Sequence, residues 1–215
     1  MQMKKILLIS GDPNSINSEI LFKSWKKISN NLKKKIYLIS NYDLIMDQSK
    51  KLNSSLKVTK VKSINDKNND LSMKIIDINL KYKNPFDVPF KEASKFVIKC
   101  LNFAHNLSLE KNVLGLINCP VNKNLLKKKS IGVTEILAKK CGVKNNSEVM
   151  LIKNKKFAVS PITTHIDIKN VSKTLKSQII IHKIFTIHKF YKKFFKKKPK
   201  IGILGLNPHN AEMKK

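Results

Sequence analysis

The sequence predicts an α/β fold with a largely parallel sheet, and three observations carry that reading. Short apolar runs alternate with amphipathic helical stretches from one end of the chain to the other. The run Val113–Ile117 is apolar throughout, as a parallel strand buried on both faces should be. No internal repeat and no linker-like stretch interrupts the alternation.

Lys4–Ser10 (KKILLIS) reads as the first strand and runs into the loop GDPNS. A helical pattern follows from Asn17 through Leu32, with Ile20, Leu21, Trp25 and Ile28 on one side. Lys35–Ser40 is the second strand, and Asn41 is placed to cap a helix over Tyr42–Leu52. Val58–Val61 and Lys74–Ile78 predict two more strands, separated by the polar turn Asn65–Asp70. Pro89 opens a long helix to Glu110, and Val113–Ile117 then predicts a fully buried strand ending in the loop NCPVNK. Beyond it come a helix entered through SIGVTE and stopped at Gly142, a hairpin pairing Glu148–Ile152 with Phe157–Ser160, and the loop PITTHIDI. A basic helix from Ser177 to Phe195 and a last strand, Ile201–Leu206, complete the pattern.

Composition narrows the function classes. The chain has 215 residues and a formal net charge of +30, yet all 44 basic residues are lysine. Arginine supplies the bidentate contacts to phosphate and guanine, so its total absence argues against a reader of nucleic acid. An excess of Lys, Asn and Ile along the whole length reads as a coding bias and a solvated surface. No window approaches the roughly 18 consecutive apolar residues of a membrane span. Cys100, Cys119 and Cys141 show no CxxC spacing and leave an odd thiol, which fits packing residues in a reducing cytoplasm.

Ligands of parallel α/β folds gather at the carboxyl ends of the strands, which here means GDPNS, NCPVNK, the entry to SIGVTE, PITTHID and LNPHNAE. His165 and His209 each lie just past a strand, so folding could bring both imidazoles to one rim. Two histidines alone are a weak metal signal, since a site needs a third ligand. His182 and His188 fall on different faces of one helix, and His105 reads as structural. Lys123 and the Gly132–Thr134 helix start could bind an anion. On the residues alone the plainer reading is favoured: Thr134 caps the helix and Lys123 is a surface charge. Asp12 either contacts a ligand or braces its turn. Its loop lacks the GxGxxG glycines of a dinucleotide fingerprint.

Taken together, GDPNSINSE, CPVNK, GVTE, SPITTH and GLNPHNAE resemble, in order and spacing, the motifs GDPaGIGPE, aPinK, GHTE, TtH and GLNPHaGE of the 4-hydroxythreonine-4-phosphate dehydrogenase family of pyridoxal phosphate biosynthesis. The resemblance covers essentially the whole chain. It implies an isocitrate/isopropylmalate-dehydrogenase-like three-layer α/β/α fold, incomplete at the C-terminus, with about 1–135 as a first α/β domain and about 136–215 as the start of a second. It also implies a homodimer with active sites at the interface, NAD, a divalent metal (Zn, Mg, Mn or Co), and a phosphorylated hydroxy-amino-acid substrate that is oxidised and then decarboxylated. Two of the family's three metal histidines match His165 and His209, and its substrate-binding His-Thr pair matches Val133 and Thr134. Ser15, Asn17 and Ser18 stand where the family has Gly, Gly and Pro, and Val133 stands where it has His. The family runs on for a further segment that carries the third histidine, more substrate contacts and much of the NAD site. An inactive or partner-dependent piece of such an enzyme is the alternative, and a basic nucleic-acid-binding protein a more distant one.

Overall fold

Five parallel strands form the central sheet of a computed structural model that describes residues 4–66, 70–126, 132–143, 147–164 and 166–206. The chain divides into two compact units, Met1–Leu137 and Ala138–Lys215.

In the first unit the strands are β1 (Lys5–Ile9), β2 (Ile36–Ser40), β3 (Val58–Val61), β4 (Met73–Asp77) and β5 (Val113–Asn118), in the spatial order β3-β4-β2-β1-β5. Every pairing is parallel. Alternation along the strands sends side chains to two separate cores. Leu7, Ile9, Tyr37, Ile39 and Ile76 face one, where helix α4 (Phe90–Ser108) packs Ala93, Phe96, Val97, Cys100 and Leu101. Leu38, Met73 and Ile75 face the other, where helix α1 (Asn17–Lys27) packs Leu21, Phe22 and Trp25. The parallel sheet is the one the alternation of strands and helices predicts, and its helix–sheet–helix layering is the three-layer α/β/α architecture that the family resemblance implies.

Several elements depart from the sequence reading. The helix expected over Asn17–Leu32 is two: α1 stops at Lys27, Ile28 is extended, and α2 (Asn30–Lys33) restarts with Ser29 accepting a bond from the Leu32 amide at 3.4 Å. A serine hydroxyl at that point offers the backbone an alternative to continuing one helix. Ile28 instead turns its side chain to the second core, whereas Ile20, expected on the buried side, is exposed. Helix α3 (Tyr42–Lys51) begins as expected, with the Asn41 side chain accepting from Leu44 N at 2.9 Å. The Asp77 carboxylate adds a bond from Tyr42 N at 2.8 Å and a salt bridge to Lys60 at 2.6 Å.

The largest correction concerns β5. Its apolar sequence predicts a strand buried on both faces, yet it lies at the edge of the sheet, with Leu114 58% and Ile117 55% exposed. Beyond it, a 3-10 turn (Lys123–Leu126) buries Leu125 and Leu126 in the first core, and α5 (Val133–Lys140) packs Val133 and Ile136 there.

The second unit has a hairpin of two residues per strand, β6 (Ile152–Lys153) and β7 (Ala158–Val159), then α6 (Ile168–Thr174) and α7 (Ser177–Phe190), which ends in a π-helical turn at Tyr191–Phe195. The hairpin is shorter than the sequence suggests, and α6 occupies the end of the expected PITTHIDI loop. Ile201–Leu206 forms no strand: no strand among the described residues pairs with it, and its apolar side chains are exposed, Leu204 at 91%. Among the described residues every buried side chain lies at or before Leu126, so the second unit has no closed core. No helix among them is long and apolar enough to cross a membrane.

Candidate active site at the carboxyl end of the sheet

The chain leaves β1 and β5 toward opposite faces of the sheet. After β1 it enters α1, whose Leu21, Phe22 and Trp25 belong to the second core; after β5 it enters the 3-10 turn, whose Leu125 and Leu126 belong to the first. Adjacent parallel strands whose connections diverge in this way open a crevice at their carboxyl ends, where open α/β sheets bind ligands. Two of the loops singled out from sequence, GDPNS and NCPVNK, meet at that point.

Their meeting is tightly specified. Gly11 adopts φ +76°, a left-handed conformation that glycine accepts without penalty, and a Cβ there would lie 2.6 Å from Pro120 O and 2.7 Å from the Asn17 amide nitrogen. The Asn17 side chain is buried and donates to Ser10 O at 3.0 Å and Pro120 O at 2.8 Å, with Asp12 O at 3.5 Å. Asp12 N also reaches Pro120 O, at 3.3 Å. Two further amides fix the far side of the loop. Asn14 exchanges bonds with both backbone groups of Val88, each at 2.8 Å, and the buried Gln48 donates to Pro13 O at 2.9 Å and Pro85 O at 2.7 Å.

The loop is therefore held from three directions before any ligand arrives, the preorganisation that binding and catalytic loops require. Sequence reasoning did not assign these roles. Asn17 was visible only as a residue in place of a glycine, Gln48 only as a polar residue on the helix face that carries Leu44 and Ile45, and Asn14 carries no pattern of its own; the partners of Asn14 and Gln48 are backbone groups distant in sequence.

The predicted residues fare differently. Asp12 is half-buried and accepts the Asn14 amide at 2.9 Å, so one carboxylate oxygen braces the turn. Lys123 is exposed at the start of the 3-10 turn. Thr134 is exposed in the first turn of α5 and is not its cap: the helix starts at Val133, and Gly132 N donates to the Glu135 carboxylate at 2.9 Å. Val133 turns onto the first core. His165 and His209 lie outside the described residues, and among the described residues no three His, Cys, Asp or Glu side chains gather as a metal site. His105 is buried on α4, which agrees with a structural role. Cys100 and Cys119 are buried packing residues. Burial pushes the Cys100 thiol far up and that of Cys119 to about 11, so neither is a ready nucleophile. Cys141, expected to pack, is exposed.

The crevice also restricts what a cofactor can do here. A pyrophosphate needs free backbone N–H groups, whereas this gap is filled by the Asn17 amide and faced by the carbonyls of Ser10, Cys119 and Pro120. The β1 loop therefore does not fit the phosphates of a dinucleotide.

The family model for Pyridoxal phosphate biosynthetic protein PdxA matches residues 31–215. The chain belongs to that family. It is 35% identical over 98% of its length to a 4-hydroxythreonine-4-phosphate dehydrogenase of Sulfurihydrogenibium sp., and 32% identical over 98% to that of Aquifex aeolicus, covering 65% of each relative. The crystal structure of a 4-hydroxythreonine-4-phosphate dehydrogenase from Klebsiella pneumoniae superposes with a TM-score of 0.83 at 24% identity, over 97% of this chain and 66% of that one. The fold is thus that of the family, and the chain spans about two thirds of the length of the relatives it matches.

Proposed function

We propose that this chain carries the first two thirds of a dehydrogenase of pyridoxal phosphate biosynthesis, acting on 4-phosphooxy-threonine with NAD and a divalent metal in the cytoplasm as a homodimer. The product is a β-keto acid that loses carbon dioxide to give 3-amino-2-oxopropyl phosphate. The observation that carries this reading is the match to relatives named 4-hydroxythreonine-4-phosphate dehydrogenase along 98% of the chain. The clasped loops at the carboxyl end of the sheet are consistent with it.

When bound, the metal would polarise the hydroxyl being oxidised and NAD would take up its hydride. His165 and His209 would contribute two imidazoles to that metal, a donor type suited to Zn, Co or Mn, and a third ligand has to come from elsewhere. Thr134, with its exposed hydroxyl on the first turn of α5, would contact substrate. Val133 faces the core and adds no hydrogen bond there. Lys123 would offer its charge to the substrate phosphate.

The test is formation of NADH from NAD and 4-phosphooxy-threonine by the purified chain with Zn, Co, Mn or Mg in turn. The assay is repeated with the remaining third of the Sulfurihydrogenibium relative added. No NADH under any of these conditions overturns the proposal. A second reading, a subunit that needs a partner segment, is favoured by the second unit burying no side chain among its described residues. It predicts NADH only when the added third is present.

A further inference from the structure

We propose that a buried water molecule bridges the hydroxyls of Ser10, Ser18 and Ser40 beneath the GDPNS loop and ties α1 to β1 and β2. The inference rests on the fold of the first unit and not on the activity proposed above. It starts from three polar atoms that the rest of the protein does not answer. Ser10 is 7%, Ser18 4% and Ser40 0% exposed, and the hydroxyl oxygen of each has no hydrogen-bond partner among the described residues. A buried hydroxyl without a partner costs free energy, and native interiors hold few of them.

The fold gathers the three at one place. In the ladder of β1 and β2, Ile9 pairs with Ile39 and Ser10 N reaches Ile39 O at 3.3 Å, so Ser10 and Ser40 are the next lateral neighbours. Leu7, Ile9, Tyr37 and Ile39 face the first core and Leu38 the second. Alternation therefore turns Ser40, and Ser10 beside it, toward the second core. Helix α1 lies on that side. Ser18 precedes Leu21, Phe22 and Trp25 by three, four and seven positions, which puts it on the same buried stripe, one turn nearer the helix start. The closeness of that start to the strand ends is fixed by the adjacent Asn17, whose amide donates to Ser10 O at 3.0 Å.

Water is the occupant these groups suit. Neighbouring strands lie about 4.8 Å apart, longer than a direct bond between two hydroxyls in register but a span that one water closes with two ordinary bonds. Each hydroxyl donates once and accepts twice, so three of them match the two to four bonds of an internal water. The core they face is apolar, with Leu21, Leu38 and Ile45, which favours a neutral molecule over an ion. Asp77, the neighbour of Ser40 on β4, has its carboxylate committed to Tyr42 N, the Asn41 amide and Lys60. Ser18 stands where the family motif has proline, so the third hydroxyl is this chain's own. Bridged in this way, the base of the loop is held to two strands while Asn17 clasps it to Pro120.

The test has two arms. A high-resolution crystal structure of the unmodified chain should show water within hydrogen-bond distance of all three oxygens. In urea denaturation Ser40→Ala should lower the folding equilibrium constant about fivefold, because it removes one bond of the bridge. Ser18→Ala should lower it less, since alanine is the better helix former. An unbridged hydroxyl predicts the opposite sign for Ser40→Ala, because alanine would then remove an unpaired polar group. In the double variant the loss should fall short of the product of the two single losses, since side chains that do not touch couple only through what lies between them. Emission of Trp25, the one tryptophan of the chain, reports whether each variant is folded, and Ser10→Ala replaces either variant that does not fold. Higher stability of Ser40→Ala, losses that simply multiply, no density between the hydroxyls, or a midpoint that moves when KCl replaces NaCl, the mark of a bound cation, would each overturn the proposal.

Discussion

Removing the Asn17 clasp offers the sharpest test of how the candidate site is built. In Asn17→Ala the carbonyls of Ser10 and Pro120 lose donors at 3.0 and 2.8 Å inside the protein. Losing a buried hydrogen bond costs about 1 kcal/mol, and more where a carbonyl is left with no donor. Pro120 O keeps the Asp12 amide at 3.3 Å, so its share is at the lower end. Alanine returns about 0.5 kcal/mol through its better helix propensity at the start of α1. The net expectation is a loss of about 2 kcal/mol, equivalent to a fall in urea midpoint of about 1 M for a typical m-value. Trp25 lies on α1 itself, is buried in the second core and donates to Leu71 O at 3.2 Å, so its fluorescence reports this unit directly. Asn17→Asp should cost more than alanine at neutral pH, because a carboxylate cannot donate and would face two carbonyls. Its carboxyl would titrate above the ordinary value, so the variant's stability falls as pH rises through about 4 and beyond. A midpoint for Asn17→Ala equal to that of the parent, with the slope unchanged, would refute the clasp.

The remaining predictions address other groups. Lys74 is fully buried, donates to Lys33 O at 3.1 Å and lies over the Tyr37 ring, and desolvation holds its pKa below the ordinary 10.5. Lys74→Met should therefore raise stability at neutral pH by about 1 kcal/mol. Between the lowered pKa and 10.5 the unfolded chain binds more protons, so the parent gains stability with pH and the gap between the two should close in denaturation curves. Asp77→Ala removes the bond to Tyr42 N and the Lys60 pair and should cost about 1 to 2 kcal/mol, seen as faster amide exchange in the first turn of α3. A chromogenic disulfide reagent at pH 8 should titrate Cys141 quickly and leave Cys119 and Cys100 until the protein unfolds; fast reaction of Cys119 would contradict the burial that raises its pKa to about 11.

Much of the fold was legible in the chain because its signals are local. The runs that became β1, β2, β3 and β4 could be placed to within about a residue. The caps and breaks were less legible. Ser29 ended a helix that periodicity carried on through Leu32, and Glu135 rather than Thr134 tied down the start of α5. For the candidate site, the loops were found from sequence but the contacts that hold them were not. Asn17 joins backbone groups on two different loops, and nothing in the order of residues announces such a meeting.

What the sequence determined by itself is the identity of the strands, the loops that end them and the family they belong to, since apolar period and motif order are properties of neighbouring residues. Position in the sheet is different, because it depends on which distant strands are present to pair. VLGLIN reads as an interior strand and sits at an edge; GILGL reads as a strand and pairs with nothing among the described residues. A strand is completed by the hydrogen bonds and apolar cover its neighbours provide. Only the tertiary structure showed which of those neighbours this chain supplies.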